Sequence, residues 1–215
     1  MTYQDQTAKL NEHSQRWLYD LTKRLFDIIV SAMGLTFLAP LWLIIGILIK
    51  IDSPGPIFLE QNRIGRWGKP FGVLKFRTIY YKVDQEEQRS LRDESGEAVF
   101  KIANDSRVTR VGSILRKAYV DELPQLFNVL RGEMGLVGPR PALAYELEFY
   151  QDWHNRRLEA TPGITGLWQI QGSGVFNFDE MVKLDIWYIE HRSFWLDLKI
   201  LLQTVPAALR GKGAY

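Results

Sequence analysis

The sequence predicts a mainly α fold with a short β-hairpin. A membrane-embedded re-entrant helix, broken by a proline, leads into a cytoplasmic α/β domain edged by amphipathic helices at the membrane interface. Three observations predict this. Between residues 28 and 49 there is no charged side chain, and Pro40 interrupts the run. Residues 57–63 and 70–77 read as two short strands around a Gly-containing turn at 64–69. From 178 to about 209 an amphipathic pattern carries Trp187, Tyr188, Phe194 and Trp195, with too many charges to span a bilayer; it suits lying flat on a membrane and, equally, packing on the core.

Composition narrows the function classes. The chain has 215 residues and a net charge of +2, from 27 basic and 25 acidic side chains. That balance does not suit a general nucleic-acid binder, so any basic site must be local. There is no cysteine, which excludes disulfides, thiolate zinc sites and thiol catalysis and suits a reducing compartment. His13, His154 and His191 are far apart and form no HExxH pattern; there is still room for a hard ion with oxygen ligands. Aromatic residues make up 13%, seven of them Trp, which fits a membrane interface and also a large core.

The polar lead-in, residues 1–22, is expected to be loose or to lie on a surface. The run in residues 23–51 is long enough to cross a bilayer, but three features favour re-entry. Pro40 sits in mid-run, where an uncompensated proline costs roughly 3 kcal/mol. Lys23 and Arg24 flank one end, and Lys50, Arg63, Arg66 and Lys69 the other, whereas a spanning helix has one basic side. Asp27 lies near the boundary. A helix that bends at Ala39-Pro40 and returns satisfies all three, with Ser31 or Thr36 available to the broken backbone. Asp52-Ser53-Pro54-Gly55-Pro56 ends the run, and residues 52–215 form the domain. Lys75 and Arg77 project from one strand face, which suits a phosphate or, equally, a solvated strand edge. Residues 82–98 read as a charge-mixed solvated face, 104–109 as turn chemistry, 142–158 as a helix, 162–166 as a type II turn and 168–171 as a short strand.

The chemistry is expected in residues 110–141, RVGSILRKAYVDELPQLFNVLRGEMGLVGPRP. Asp121 and Glu122 are adjacent carboxylates, with Arg110, Arg116, Arg131 and Arg140 around them. Pro124 is tolerated in a first helical turn. That makes Asp121 the N-cap of a helix whose Leu123, Leu126, Phe127 and Leu130 form a buried stripe. There the helix dipole keeps Asp121 ionised and offers a phosphate a place beside it. Acidic residues in a first turn often do no more than complement the dipole; the arginines argue for more. Pro139 and Pro141 fix the backbone on both sides of Arg140, and a guanidinium held that way suits a phosphate oxygen.

Taken together, the chain resembles the monotopic phosphoglycosyl transferases, bacterial sugar transferases that act as undecaprenyl-phosphate sugar phosphotransferases. The likeness runs from Lys23 to Tyr215 through an ordered series: the proline-broken helix, SPGPIF, KFRT, DSRVTRVG, LRKAYVDELPQLFNVLRGEMGLVGPRP, PGITGLWQI and GKGAY. It is to the minimal form, without the multi-span N-terminal extension of some relatives. The resemblance implies an enzyme of the bacterial inner membrane, monotopic on its cytoplasmic face. It would act at the first membrane step of exopolysaccharide, capsule, O-antigen or glycoprotein glycan assembly. A nucleoside diphosphate sugar, UDP-linked, gives its phosphosugar to undecaprenyl phosphate, with release of a nucleoside monophosphate and with Mg2+ as cofactor. Asp121 is then the nucleophile, forming a phosphosugar–aspartyl intermediate; Glu122 is its partner, and the two carboxylates hold the metal. Lys75, Arg77, Arg116 and Arg140 neutralise the substrate phosphates. Asp105, Arg107, Pro124, Pro139 and Pro141 belong to the scaffold of the motifs. The implied partners are inner-leaflet phospholipid and downstream glycosyltransferases, with room for a homodimer and no role for nucleic acid.

Three places depart from the family pattern. Tyr119-Val120 stand where Ser-Leu is usual, Glu133 and Gly135 alter the GDMSLVGPRP motif, and Ser173 stands where an arginine is expected. With the dyad intact, the departures point to altered specificity. Two alternatives are an inactive membrane-bound assembly subunit, against which the dyad speaks, and a nucleotide-sugar pyrophosphohydrolase, which has no use for a re-entrant helix.

Overall fold

The computed structural model describes residues 3–81, 107–172 and 177–209, with side chains from Trp17 onward. The expectations for 82–98, Asp105 and Ser173 lie outside the described residues. Helix α1 (Tyr3–Phe37) is unbroken over 35 residues. The lead-in, expected to be loose or to lie on a surface, is helical from Tyr3, and the 22/23 boundary falls inside α1. Helix α2 (Ala39–Asp52) follows after a bend of 61° at Leu38. Pro40 lies in the first turn of α2, where its missing N–H leaves no intrahelical bond unmade. The bend keeps much of its backbone bonding: Leu38 N donates to the Gly34 carbonyl at 3.0 Å and Trp42 N to the Leu38 carbonyl at 2.9 Å. Of the two hydroxyls available to help, Thr36 donates to the Ala32 carbonyl at 2.9 Å. The Ser31 hydroxyl is buried and, among the described residues, has no hydrogen-bond partner. No single helix among the described residues is long and apolar enough to cross a membrane; the bent pair meets that test only when its arms are taken together.

One face of the bent pair is exposed and apolar, with Leu25, Ile29, Met33, Phe37, Leu43 and Ile47 on it. The other packs on the domain. Arg24 donates to the carbonyls of Val129 and Leu130, the latter at 2.9 Å. Lys23 lies 3.4 Å from Asp27 and 3.1 Å from Asp197, and the Tyr19 hydroxyl donates to Asp197 at 2.9 Å. The basic flank at this end is therefore engaged in intramolecular struts and loses its weight as a topology signal.

Strands β1 (Phe58–Ile64) and β2 (Pro70–Phe76) form the expected antiparallel hairpin, with Leu59 opposite Lys75 and Arg63 opposite Phe71. Helix α3 (Arg110–Lys117) starts at Thr109, whose hydroxyl accepts from Gly112 N at 2.9 Å. Gly112 sits so close to the Thr78 carbonyl that any side chain would collide with it. The chain then makes a 3-10 turn at Val120–Glu122 and enters α4 (Gln125–Arg131), with Pro124 in the capping position. The expectation of Asp121 as N-cap is corrected: Leu123 N bonds back to the Val120 carbonyl at 3.2 Å, closing a tight turn around it. The stripe on α4 is also turned. Leu126 and Val129 are buried with Gln125 and Asn128, while Phe127 is 39% exposed. Asn128 is the reason. Its Oδ1 accepts from Leu74 N at 3.0 Å, and its Nδ2 donates to the Gly72 carbonyl at 2.6 Å and to Glu133 at 2.7 Å. The side chain thus satisfies the edge of β2, which a neighbouring strand would otherwise do.

Two further strands are not announced by the sequence. β3 (Gly135–Val137) pairs in parallel with β4 (Gly163–Thr165), so the segment expected as a type II turn is a strand. The next segment, expected as a strand, is α5 (Leu167–Gln171). The expected helix at 142–158 is two 3-10 segments, Ala144–Phe149 and Asp152–Glu159. The long amphipathic pattern divides into α6 (Phe178–His191) and α7 (Phe194–Leu209). The main core gathers Val73, Leu126, Val129, Leu136, Tyr188 and Ile200 from five elements; a second joins Ile45 and Ile49 of α2 to Phe76 and Leu115.

Candidate active site

The site is assembled on one face of the hairpin. Leu59, the partner of Lys75, is four residues from Arg63 along β1, so Lys75 and Arg63 project from the same side of the sheet. Lys75 Nζ lies 2.7 Å from Glu122 Oε1. Arg116 donates through Nε to Thr78 Oγ1 at 2.8 Å and stands near enough to Asp121 to favour its charge. Arg140 does the same for Glu122. The structure therefore brings together Asp121, Glu122, Lys75, Arg116 and Arg140. Tyr119, just before the turn, has a left-handed backbone at φ 58, which costs a non-glycine residue roughly 1–2 kcal/mol. Asp121 itself is only 9% exposed.

The two carboxylates differ in charge state. Burial, joined by the charge of Glu122, pushes the Asp121 carboxyl up to about 6, with Lys75 and Arg116 opposing. Burial also acts on Glu122, but Lys75, with Arg140 and Arg63 behind it, outweighs it and holds Glu122 below the usual carboxylate range. Neighbouring acids whose ionisations are pushed apart are suited to different tasks. A helix dipole is not what governs Asp121, although a carboxyl near 6 is still mostly ionised at pH 7. In metal-free protein the Asp121 carboxyl carbon should titrate in NMR with a midpoint near 6, taking up its proton as pH falls through that value. A midpoint in the ordinary aspartate range would show that burial is not the dominant influence.

Among the described residues no group of three or more His, Cys, Asp or Glu side chains is arranged to hold a metal. Mg2+, however, commonly takes one or two carboxylates and completes its shell with water and substrate phosphate. Asp121 and Glu122 supply two such carboxylates, so the donor set fits that ion.

Arg77 is corrected as a phosphate ligand. It is 1% exposed, and all five of its N–H groups are used. Nε donates to the Pro56 carbonyl at 2.6 Å, Nη1 to Ser53 Oγ at 2.7 Å and the Pro54 carbonyl at 2.8 Å, and Nη2 to the carbonyls of Ser53 at 2.8 Å and Ile49 at 3.4 Å. It fastens the end of α2 to the hairpin. Arg63, which the sequence offered only as a flanking charge, instead joins the site, 6% exposed and near Glu122 and Arg140. Strand alternation was the signal that could have found it. The scaffold residues are engaged through their backbones. The Arg107 carbonyl accepts from Tyr80 N at 3.0 Å, Pro124 from Phe127 N at 3.0 Å and Pro139 from Gly163 N at 2.9 Å. Pro141 accepts from Arg63 at 3.1 Å. The unusual Gly135 also has a physical reason: a Cβ there would come within 2.9 Å of the Asp27 carboxylate.

The model of the bacterial sugar transferase family matches residues 18–211. The chain is 40% identical over 200 residues to the exopolysaccharide production protein ExoY of Rhizobium meliloti, covering 91% of this chain and 88% of that protein. It is 42% identical over 204 residues to the UDP-glucose:undecaprenyl-phosphate glucose-1-phosphate transferase of Caulobacter vibrioides, covering 91% and 73%. With the undecaprenyl-phosphate galactose phosphotransferase of Salmonella typhimurium it shares 41% over 211 residues, covering 96% of this chain and 43% of that one, so the chain spans less than half of that relative. With matches of this extent and a site built on the paired carboxylates, the chain belongs to the bacterial sugar transferase family and is a transferase.

Proposed function

We propose that this transferase moves a phosphosugar from a UDP-linked sugar to undecaprenyl phosphate, the lipid carrier named in two of its relatives. The observation that carries the reading is the split dyad, a buried Asp121 beside a Glu122 held ionised by Lys75, with Arg116 and Arg140 alongside. An Asp121 carboxylate oxygen attacks the donor's β-phosphorus. The P–O bond to the nucleoside monophosphate breaks, and its electron pair leaves with the monophosphate. The resulting phosphosugar–aspartyl ester is then attacked by an oxygen of the lipid phosphate, which releases the Asp121 carboxylate and gives the lipid diphosphate sugar. Mg2+, held by Asp121, Glu122 and substrate oxygens, would supply further neutralisation of the phosphates. Lys75, Arg116 and Arg140 offset the repulsion between two anionic substrates and an anionic nucleophile. A panel of UDP-sugars tests the reading. At least one should release UMP beyond one equivalent of enzyme only when undecaprenyl phosphate is present, and continued release from every donor by water alone would favour a hydrolase.

We further read the bent pair as re-entrant, with the domain on the cytoplasmic face. The support is that both arms are tied to one body, α1 through Arg24 and Lys23 and α2 through Arg77 and through Asp52, which accepts from Val111 N at 3.0 Å. A spanning helix would separate those ends by a bilayer. The exposed Trp195, Leu202 and Val205 of α7 suit a headgroup interface. Single cysteines introduced at Gln15 and Arg66 should both resist an impermeant thiol reagent in intact cells. Labelling of the first alone would establish a span.

A further inference from the structure

Two buried arginines converge on the loop that carries Arg140. Arg157 Nη2 donates to the Arg140 carbonyl at 3.3 Å, and Arg63 Nη1 donates to the next carbonyl, that of Pro141, at 3.1 Å. They are 4% and 6% exposed. Each is anchored from behind. Arg157 Nη2 meets Asp185 Oδ2 at 2.7 Å, and its Nη1 donates to the Tyr150 hydroxyl at 3.0 Å. Its guanidinium lies 6.0 Å from the Tyr150 ring centre and 5.9 Å from that of Phe178. Arg63 Nη2 donates to Gln61 Oε1 at 3.1 Å. Main-chain bonds complete the hold: Gly138 N donates to the Thr165 carbonyl and Gly163 N to the Pro139 carbonyl, both at 2.9 Å. Every residue from Gly138 to Pro141 is thus held by a hydrogen bond, on a backbone already stiffened by two prolines.

Burying a guanidinium carries a desolvation cost that an apolar packing residue would avoid. Two of them aimed at neighbouring carbonyls is a costly way to hold this partly buried loop unless the direction of the loop matters. Arg140 is the one cationic side chain in Gly138–Pro141, and its charge is felt at Glu122. We propose that Arg63 and Arg157 are positioning residues for Arg140, a clamp on successive carbonyls that sets where its guanidinium meets the substrate phosphate. The proposal rests on the reading of Arg140 as a phosphate-binding group. A displacement of about 1 Å at a reacting centre costs on the order of 10²-fold in rate, so a partial release should be visible.

Arg157→Lys keeps the charge opposite Asp185 but cannot reach Tyr150, Asp185 and the Arg140 carbonyl together. Arg63→Lys likewise loses its fork. Each should lower kcat/KM for the donor about tenfold. Tyr150→Phe should act in the same direction and more weakly. In an Arg140→Ala background Arg157→Lys should have no further effect. Equal losses from Arg157→Lys with and without Arg140 would overturn the clamp. If Arg140→Ala alone keeps full turnover, the phosphate-binding reading fails instead, and the clamp is then decided without turnover. The chain has no cysteine, so Arg140→Cys provides a unique thiol. Arg157→Lys should accelerate its alkylation several-fold while leaving a thiol at Arg131 unaffected, and equal rates at position 140 would overturn the proposal.

Discussion

Asp121→Asn will abolish turnover and the covalent intermediate while leaving the fold intact. Asn has nearly the same shape, and it replaces a carboxylate whose charged form burial already disfavours, so no native interaction of comparable size is lost. The amide is a far poorer nucleophile, and loss of a group that forms the intermediate lowers the rate on the order of 10³-fold or more. In the wild type, donor and Mg2+ without acceptor should give a burst of UMP no larger than the enzyme concentration, and kinetics should be ping-pong. Intact-protein mass spectrometry should find the phosphosugar adduct, mapped to Asp121. Retention of wild-type turnover by Asp121→Asn would end the covalent assignment. So would an obligatory ternary complex with no trapped adduct, since the lipid phosphate would then attack the donor directly. Glu122→Gln should lower turnover by a different route, because it removes the ionised partner of Lys75 and one of the two carboxylates available to the metal.

Asp121, Glu122, Lys75 and Arg140 could be singled out in the sequence because the order of their motifs along the chain is distinctive, and the structure brings the four together. Geometry was less legible, for local reasons. Alternation extended past the end of β2 put Arg77 beside Lys75, but the strand stops at Phe76. The Arg77 N–H still bonds to the Ile57 carbonyl, but its guanidinium is taken by the carbonyls of Pro54 and Pro56. Counting apolar positions turned α4 the wrong way, because Asn128 is buried for its two-sided hydrogen bonding and no hydrophobic pattern registers that. The parallel pair of β3 and β4 could not be read at all. Strands of three residues carry no usable period, and their register is set by Gly135 and Gly163, which are 28 positions apart in the chain. Lys23 and Arg24 looked like interfacial charges because composition cannot distinguish a headgroup contact from an ion pair with Asp197 or a cap on the Val129 and Leu130 carbonyls.

Arg77→Lys will prevent stable folding of the junction between α2 and the hairpin rather than merely slow the reaction. The guanidinium is buried and meets five acceptors drawn from Ile49, Ser53, Pro54 and Pro56. An ammonium has three N–H groups and no planar fork, so at least two of those acceptors lose their donor where water cannot easily replace it. Each buried group left unsatisfied costs about 1–3 kcal/mol, a large fraction of the roughly 5–15 kcal/mol that holds a domain together. The loss should be local at first. The α1 arm stays fastened by Arg24, while α2 loses the clamp at its C-terminal end, so protease cleavage in lipid nanodiscs should appear near Asp52–Pro56 before the domain melts. The sequence alone suggests the opposite outcome, a well-folded protein with weakened donor binding, because Arg77 then serves a phosphate. Wild-type melting and protease resistance together with a raised donor KM would restore that role and remove Arg77 as the strut of α2. Early cleavage at the junction would instead place Arg77 among the contacts that hold both arms of the bent pair against one domain.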